Sequence, residues 1–131
     1  MKIAIVGSRT FTNQNIVNMT MDRFVDQYQY ENNPVSLIVS GGAKGADTCG
    51  ENYAKNTKIP TKIILPDWSK YGKSAGFKRN IDIVLACDTV IAFWDEKSKG
   101  TLDTIRKAKA NKKKVYLFGL DGKAIDHSLF R

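Results

Sequence analysis

The sequence predicts a single three-layer α/β domain in which helices flank a five-stranded parallel sheet. Five short runs rich in branched apolar residues alternate with stretches of helical periodicity, which is the pattern of repeated strand–helix units. The run Asp88–Trp94 is almost continuously apolar, as expected of a parallel strand that is covered on both faces. A chain of 131 residues is long enough to bury a core without disulfides or metals.

The elements follow from where these apolar runs stop at glycine, proline or polar residues. Strands are predicted at Lys2–Val6, Val35–Val39, Thr61–Leu65, Asp88–Trp94 and Val115–Phe118. Four helices are predicted to begin after Thr12 or Asn13, at Ala46, at about Ser74 and at about Thr101. The third helix has Ile81, Val84 and Leu85 as its apolar stripe, so Arg79 is expected to point toward the ligand edge of the sheet. Residues 1–119 form the domain, and residues 120–131 form a C-terminal tail that is packed on it or trails from it.

Composition narrows the class of protein without choosing a ligand. The net charge of +8 favours polyanionic partners, from nucleotides to nucleic acid. No apolar run is long enough to span a membrane, and the chain enters a strand at once instead of a signal peptide, so we expect a cytoplasmic protein. Cys49 and Cys87 lie in predicted helices without metal-binding spacing, and we expect two reduced thiols, no metal and no cofactor.

The most informative stretch is a glycine-rich loop between the second strand and its helix. Gly41 and Gly42 allow a sharp turn with no side chain to block a ligand, and Gly45 lets the helix begin close to the sheet. The free N–H groups of that helix start stabilise an anion. The predicted anion-binding residues of this loop are Ser40, Gly41, Gly42, Ala43, Lys44 and Gly45. Asp47, in the first helical turn, either caps N–H groups or contacts the ligand, and both roles stay open.

Two further loops follow strands one and four, and all such loops emerge at one edge of a parallel sheet. After the first strand, Gly7-Ser8-Arg9 offers a hydroxyl and a guanidinium suited to phosphate. After the fourth strand, Ser98, Gly100 and Thr101 supply hydroxyls and N–H groups at a helix start, and Asp103 lies one turn in with a capping or a ligand role. The three loops are therefore expected to converge on one site.

Between the third strand and the third helix lies a segment that mixes aromatic, basic and glycine residues, from Asp67 to Asn80. Trp68 and Tyr71 can stack on a base, while neighbouring lysines and Arg79 hold phosphate. The alternative is a loop pinned to the body of the domain by its aromatic residues. Asn80 is grouped with Arg79 as a predicted ligand contact.

These pieces together resemble the SLOG superfamily, which is named for the Smf/DprA DNA-processing proteins and the LOG phosphoribohydrolases, and within it the small YspA-like group. The shared motifs keep the group's order and spacing from Ile3 to about Val115. They are Gly7-Ser8-Arg9, Ser40–Asp47, Asp67-Trp68, Tyr71-Gly72-Lys73, Ala75-Gly76, Arg79-Asn80, Ala92–Asp95, and Ser98–Thr101 with Asp103 and Ile105. The resemblance implies a Rossmann-like fold that binds nucleotides or nucleotide-derived ligands at the carboxyl edge of the sheet. It also implies a homo-oligomer.

The LOG enzymes hydrolyse the N-glycosidic bond of a nucleoside monophosphate with an arginine in the third helix and a Gly-Gly-x-Gly-Thr-x-x-Glu loop. Arg79 matches the arginine, and Gly100-Thr101 match the Gly-Thr core, but Thr104 stands where those enzymes carry the glutamate. Threonine cannot act as a general base or stabilise a cationic sugar by charge. If the chain is an enzyme, Arg79 and Asp103 are its catalytic candidates.

Three functions are therefore distinguished. The leading prediction is a protein that binds a ligand containing ribose and phosphate, as a sensor, carrier or sequestering protein. The alternatives are a LOG-like phosphoribohydrolase and a DprA-like protein that binds single-stranded nucleic acid. Salt dependence separates the last from the first, because each phosphate contact of a nucleic acid releases counterions.

Overall fold

A computed structural model describes residues 1–126 and confirms the predicted five-stranded parallel sheet. The strands are β1 (Lys2–Gly7), β2 (Leu37–Ser40), β3 (Thr61–Ile63), β4 (Thr89–Phe93) and β5 (Lys114–Phe118). Their order in the sheet is β3-β2-β1-β4-β5, and every pairing is parallel. The chain thus changes direction across the sheet between β1 and β4, and a crevice for ligands opens at the carboxyl ends of strands at such a point.

Helices cover both faces of the sheet, which gives the three layers that the sequence predicts. They are α1 (Gln14–Tyr30), α2 (Ala46–Thr57), α3 (Trp68–Tyr71), α4 (Ala75–Leu85) and α5 (Lys99–Ala110), with a 3₁₀ turn at Gly72–Ser74. Alternate residues of β1 face opposite cores: Ile3 and Ile5 pack with α1 and α2, whereas Ala4 and Val6 pack with α4 and α5. None of the described helices has the length and apolar character needed to cross a membrane.

Three local predictions differ from the structure. β3 ends at Ile63 instead of Leu65, and all three of its residues are exposed at the sheet edge. The aromatic and basic segment is not only a loop, because it contains α3 and the 3₁₀ turn. The apolar stripe of α4 was wrong in part: Ile83 is buried beside Val84, while Leu85 is 61% exposed.

The two cysteines and the start of the tail complete the domain. Cys49 and Cys87 are buried free thiols, as predicted. Residues 119–126 fold back onto the domain through a turn, in which Ile125 N–H donates to the carbonyl of Leu117 at 2.8 Å and Ile125 packs on the core beneath α4 and α5. His127 and the rest of the predicted tail lie outside the described residues.

Candidate functional site

A cavity of about 220 Å³ opens at the carboxyl edge of the sheet, where the loops after β1, β2 and β4 meet α4. We call it the α5 lobe. Its lining residues are Val6, Arg9, Ala43, Asp47, Trp68, Lys73, Gly76, Phe77, Arg79, Asn80, Ile83, Gly100, Thr101 and Thr104. The predicted convergence of the three loops is confirmed.

A second cavity of about 300 Å³ adjoins the first on the side of β3, and we call it the β3 lobe. It is lined by Arg9, Gly41, Gly42, Ala43, Leu65, Pro66, Trp68, Gly76 and Arg79. Five of these residues also line the α5 lobe, so the two cavities are neighbouring parts of one cleft.

The glycine loop is held from below by two carboxylates one turn apart on α2. Oδ2 of Asp47 accepts from the N–H groups of Gly41 (3.1 Å) and Ala43 (3.2 Å). The N–H of Gly42 donates to Oγ of Ser40 (3.1 Å), whose hydroxyl donates to Glu51 (2.6 Å). Three consecutive amides of the loop are therefore directed into the protein.

This arrangement changes the predicted role of the loop. Gly41, Gly42 and Ala43 line the cleft as expected, but their N–H groups already have acceptors and do not point to a bound phosphate. Lys44 lines neither lobe. Gly45 is required by packing instead, because it has φ +82° and a Cβ there would lie 2.4 Å from the carbonyl oxygen of Ser8.

Asp47 serves the loop by accepting from two of its N–H groups, which is one of the two roles that the sequence left open; the contact with the ligand stays a prediction. It also lines the α5 lobe, although it is almost fully buried. Burial raises its pKa to about 6, against the opposing effects of the Ala43 N–H and the positive charge of Arg79. The carboxylate therefore carries a full charge only above about pH 6.

Arg79 projects from α4 to the glycine loop and is half-buried there. Its Nη1 donates to the carbonyl of Gly41 and, at 3.5 Å, to that of Ile64, while Nε donates to Oδ1 of Asn80 at 3.1 Å. No acceptor within residues 1–126 meets Nη2, so two of its five N–H groups are available. Burial lowers the pKa of Arg79, the nearby Arg9 cation adds to this, and Asp47 opposes it.

Arg9 faces the same cleft from the end of β1 and is exposed. Across the described range the side chain of Arg9 makes no hydrogen bond or ion pair with another residue, and the same is true of the side chain of Lys73. Among the lining residues of both lobes that the structure describes, Asp47 is the sole carboxylate. Two guanidiniums and an ammonium therefore surround a cleft with one acidic group, which is turned toward the loop.

Asn80 connects α4 to the start of α5. Its amide nitrogen donates to the carbonyl of Gly100 (3.3 Å) and to Asp103 (3.0 Å), while its oxygen accepts from Arg79. Asp103 also forms an ion pair with Lys107 at 2.7 Å and lines neither lobe. The catalytic candidate Asp103 thus joins α4 to α5 and is not one of the lining residues of the cleft.

Ser8 and Ser98 also serve the scaffold. Ser8 is buried, and its Oγ accepts from the N–H of Asp95 at 3.0 Å, which joins the loops after β1 and β4. Ser98 caps α5 by accepting from the N–H of Thr101 at 3.4 Å. Burial would raise the pKa of Asp95, but hydrogen bonds from the N–H groups of Lys97 and Ser98 outweigh it and lower that pKa.

The aromatic segment divides between the cleft and the surface. Asp67 caps α3 by accepting from the N–H of Lys70, and α3 places Trp68 in the wall of both lobes. Tyr71 faces away and lines a different surface depression, where the ammonium groups of Lys70 and Lys78 lie 5.1 and 4.9 Å from its ring centroid. The two predicted stacking residues are therefore not equivalent.

The cleft gathers ten of the predicted site residues: Arg9, Gly41, Gly42, Ala43, Asp47, Trp68, Arg79, Asn80, Gly100 and Thr101. It does not gather Gly7, Ser8, Ser40, Lys44, Gly45, Tyr71, Ser98 and Asp103. Gly7 is a contact point between elements, since a Cβ there would lie 2.2 Å from the carbonyl oxygen of Phe93. Lys73, one of the lysines of the aromatic and basic segment, also lines the cleft. The lining residues that the sequence did not indicate are Val6, Leu65, Pro66, Gly76, Phe77, Ile83 and Thr104.

The sequence carries a signal for three of these residues. Gly76 and Ile83 lie three residues before and four residues after Arg79 on one helix, so they share its face. Thr104 follows in the same way from Gly100, four residues earlier on α5, to whose carbonyl its hydroxyl donates at 3.2 Å.

Two comparisons connect the chain to known sequences. Residues 1–71 match the model of the YspA, cpYpsA-related SLOG family. The Gene 61 protein of Mycobacterium phage D29 is 31% identical over 125 residues, which cover 90% of this chain and 96% of that protein.

Solved structures show the same fold in larger proteins. DNA processing protein A (DprA) of Streptococcus pneumoniae superposes with a TM-score of 0.65 at 25% identity, over 88% of this chain and 49% of that one. The Helicobacter pylori DprA, described by its single-stranded DNA binding mode, has a TM-score of 0.63 at 21% identity, over 89% of this chain and 64% of that one. The chain thus spans about half to two thirds of these neighbours. By the family match and the phage relative together, it belongs to the YspA, cpYpsA-related SLOG family.

Proposed function

We propose that this protein binds a nucleotide or nucleotide-derived ligand in the cleft, with the ligand phosphate held by Arg9 and Arg79. The observation that carries the proposal is the pair of guanidiniums at one opening: Arg9 has no partner within residues 1–126, and Arg79 keeps Nη2 unused. The Arg9 cation disfavours the charge of Arg79, and Asp47 counteracts this from the side of the loop. A bound phosphate favours both cations and accepts charge-assisted hydrogen bonds from them.

The walls of the cleft support a ring-bearing ligand over inorganic phosphate. Trp68 is 55% exposed and Phe77 is 44% exposed, and both line the α5 lobe. Exposed aromatic rings beside cations suit a base that stacks while its phosphate is neutralised. The start of α5 adds the N–H group of Gly100, a lining residue of the α5 lobe, for which the described residues provide no acceptor.

The proposal is tested by native mass spectrometry of the purified protein, followed by thermal shift with nucleoside monophosphates and with the matching nucleosides. The informative variant is Arg9→Ala, because Arg9 is exposed and its loss removes no contact of the fold. Loss of one charge-assisted contact of about 1.5–3 kcal/mol weakens binding roughly 10- to 100-fold.

Arg106→Ala is the matched control, since it removes the same charge from an exposed position on α5 outside both lobes. Binding that is retained in Arg106→Ala and lost in Arg9→Ala supports the cleft. Equal loss in both variants, or no stabilisation by any nucleotide, contradicts the proposal.

The second candidate is single-stranded nucleic acid, and a specific surface favours it. Lys70 and Lys78 flank Tyr71 outside the cleft, so basic and aromatic side chains continue beyond the site of a single nucleotide. The structural likeness to DprA, whose Helicobacter pylori form is described as binding single-stranded DNA, points the same way.

Salt titration separates the two candidates. Binding of a strand through several phosphates gives log K a slope against log salt of roughly −0.7 for each phosphate contacted. A mononucleotide in the cleft gives a shallow slope. Tyr71→Ala leaves the affinity for that mononucleotide unchanged. Steep salt dependence together with loss of oligonucleotide binding in Tyr71→Ala favours the strand.

A further inference from the structure

We propose that the ligand consists of two nucleoside units joined by a phosphodiester or a pyrophosphate, with one unit in each lobe and the linker over Arg9 and Arg79. This inference rests on the proposed nucleotide function and goes beyond it by naming the class of ligand. It starts from the shape of the cleft, whose two lobes share one set of wall residues: Arg9, Ala43, Trp68, Gly76 and Arg79.

The sizes of the lobes argue against a ligand that fills only one of them. The α5 lobe has about 220 Å³ and the β3 lobe about 300 Å³. Sites for drug-sized ligands run from roughly 300 to 1,000 Å³, so each lobe alone is at or below the lower limit. The two lobes together fall within that range.

Each lobe offers an apolar surface of its own. In the α5 lobe, Val6 and Ile83 are buried residues that line the cavity beside the exposed ring of Phe77. The β3 lobe is lined by Leu65 and Pro66 together with the side-chain-free backbone of the glycine loop. A Cβ on Gly42 would lie 2.5 Å from Cδ2 of Leu65, so the loop and Leu65 form one continuous wall.

Trp68 stands at the junction of the lobes. It lines both, and its ring lies 3.9 Å from where a Cβ of Gly76 would be, so the ring packs against a helix face without a side chain. A ring system entering from either side can therefore meet the indole.

The charges at the junction define the linker. Arg9 and Arg79 belong to the wall that the two lobes share, so a molecule that spans both lobes lies beside them. Nη2 of Arg79 has no acceptor among the described residues. Asp47 acts on Arg79 through its charge, but its Oδ2 accepts from two loop amides, and within the described residues no hydrogen bond or ion pair joins it to either arginine. An anionic linker with ring-bearing units on both sides fits this order of apolar, cationic and apolar surfaces.

Two sources share this chemistry: a free dinucleotide and two successive nucleotides of a single strand. The experiment measures dissociation constants by calorimetry at fixed ionic strength for three probes. They are a nucleoside monophosphate, the corresponding dinucleotides with 3′–5′ or 5′–5′ linkage, and a longer single strand of the same base.

Lobe-specific variants locate the two units. Phe77→Ala alters the α5 lobe and Leu65→Ala alters the β3 lobe. Leu85→Ala is the matched control for Leu65→Ala. Leu85 is 61% exposed and Leu65 is 68% exposed, but Leu85 lines neither lobe.

We expect a dinucleotide to bind at least about tenfold more tightly than the monophosphate, since it makes stacking or apolar contacts in the second lobe. One lobe variant weakens the binding of both the monophosphate and the dinucleotide, and the other weakens only the binding of the dinucleotide, by about fivefold or more. Leu85→Ala changes neither dissociation constant. A free dinucleotide as source is indicated when the longer strand binds no better than the dinucleotide, and a strand as source when affinity rises with length.

Two results overturn the inference in distinguishable ways. If the monophosphate binds as tightly as every dinucleotide and one lobe variant affects neither ligand, the two-unit ligand is excluded while the proposed function stands. If no probe binds the wild-type protein, the proposed function fails and the inference fails with it.

Discussion

Asp47 is expected to make the stability of this protein depend on pH in a window where most carboxylates have finished titrating. Its ordinary pKa is 3.8 and its pKa in the folded protein is about 6, because burial disfavours the charged form. The folded state therefore holds a proton that the unfolded state has lost between about pH 4 and pH 6. The contribution of Asp47 to the free energy of unfolding therefore falls as pH rises through this window and is constant above it.

The size of the effect follows from the shift of about two pKa units. At 1.36 kcal/mol per unit, Asp47 costs the folded state about 3 kcal/mol above pH 6 relative to pH 4. Asp67 and Asp95 act in the opposite direction, since their pKa values are lowered, but they titrate below their ordinary value of 3.8.

The assay is urea unfolding of the wild-type protein and of Asp47→Asn across this range of pH. Asparagine keeps an oxygen for the N–H groups of Gly41 and Ala43 but does not titrate. The wild-type protein should lose stability relative to the variant from pH 4 to pH 6, and His127, common to both, cancels in the difference. Parallel pH profiles for the two proteins would refute the reasoning.

Three further predictions concern the scaffold of the site, and urea unfolding measures each. Gly45→Ala lowers the free energy of unfolding by about 3 kcal/mol or more, because the residue has a positive φ and its new Cβ would clash with main-chain atoms. Gly100→Ala changes the free energy of unfolding by less than about 1 kcal/mol, because its Cβ would meet open space. Equal effects at the two glycines would contradict this. Ser98→Ala removes the cap of α5 and costs about 1 kcal/mol, so an unchanged midpoint would show that the cap is dispensable. Asn80→Ala lowers the free energy of unfolding by about 1–3 kcal/mol, because it removes the hydrogen bonds that join α4 to α5 and leaves Nε of Arg79 without its acceptor. A neutral result would mean that water replaces these bonds.

The fold could be predicted because the signals that specify it are local. Apolar runs of four to seven residues determine the strands, and Gly7, Pro34, Pro60 and Pro66 mark their ends. Their alternation with helices predicts parallel crossovers. The end of β3 was predicted two residues too late. Its residues are exposed at the edge of the sheet, so the pattern of apolar residues does not mark where the strand ends.

The site could be predicted in position but not in its internal hydrogen bonding. That the loops meet follows from the topology, whereas the acceptor for each loop amide depends on how α2 is rotated beneath it. Asp47 and the hydroxyl of Ser40, which Glu51 orients, accept from the amides that the sequence predicts to bind phosphate. Ser8 illustrates the same limit, since a loop serine at the ligand edge proved to be buried and bonded to Asp95.

The central claim is that the two guanidiniums in the cleft recognise phosphate on a nucleotide. Its most direct test is calorimetric titration of the wild-type protein and Arg9→Ala with a nucleotide and with the nucleoside that lacks its phosphate. We expect the wild-type protein to prefer the nucleotide by about tenfold or more, and Arg9→Ala to lose most of that preference while the nucleoside binds both proteins alike. A nucleoside that binds the wild-type protein as tightly as its nucleotide, or a preference that survives in Arg9→Ala, would contradict the claim.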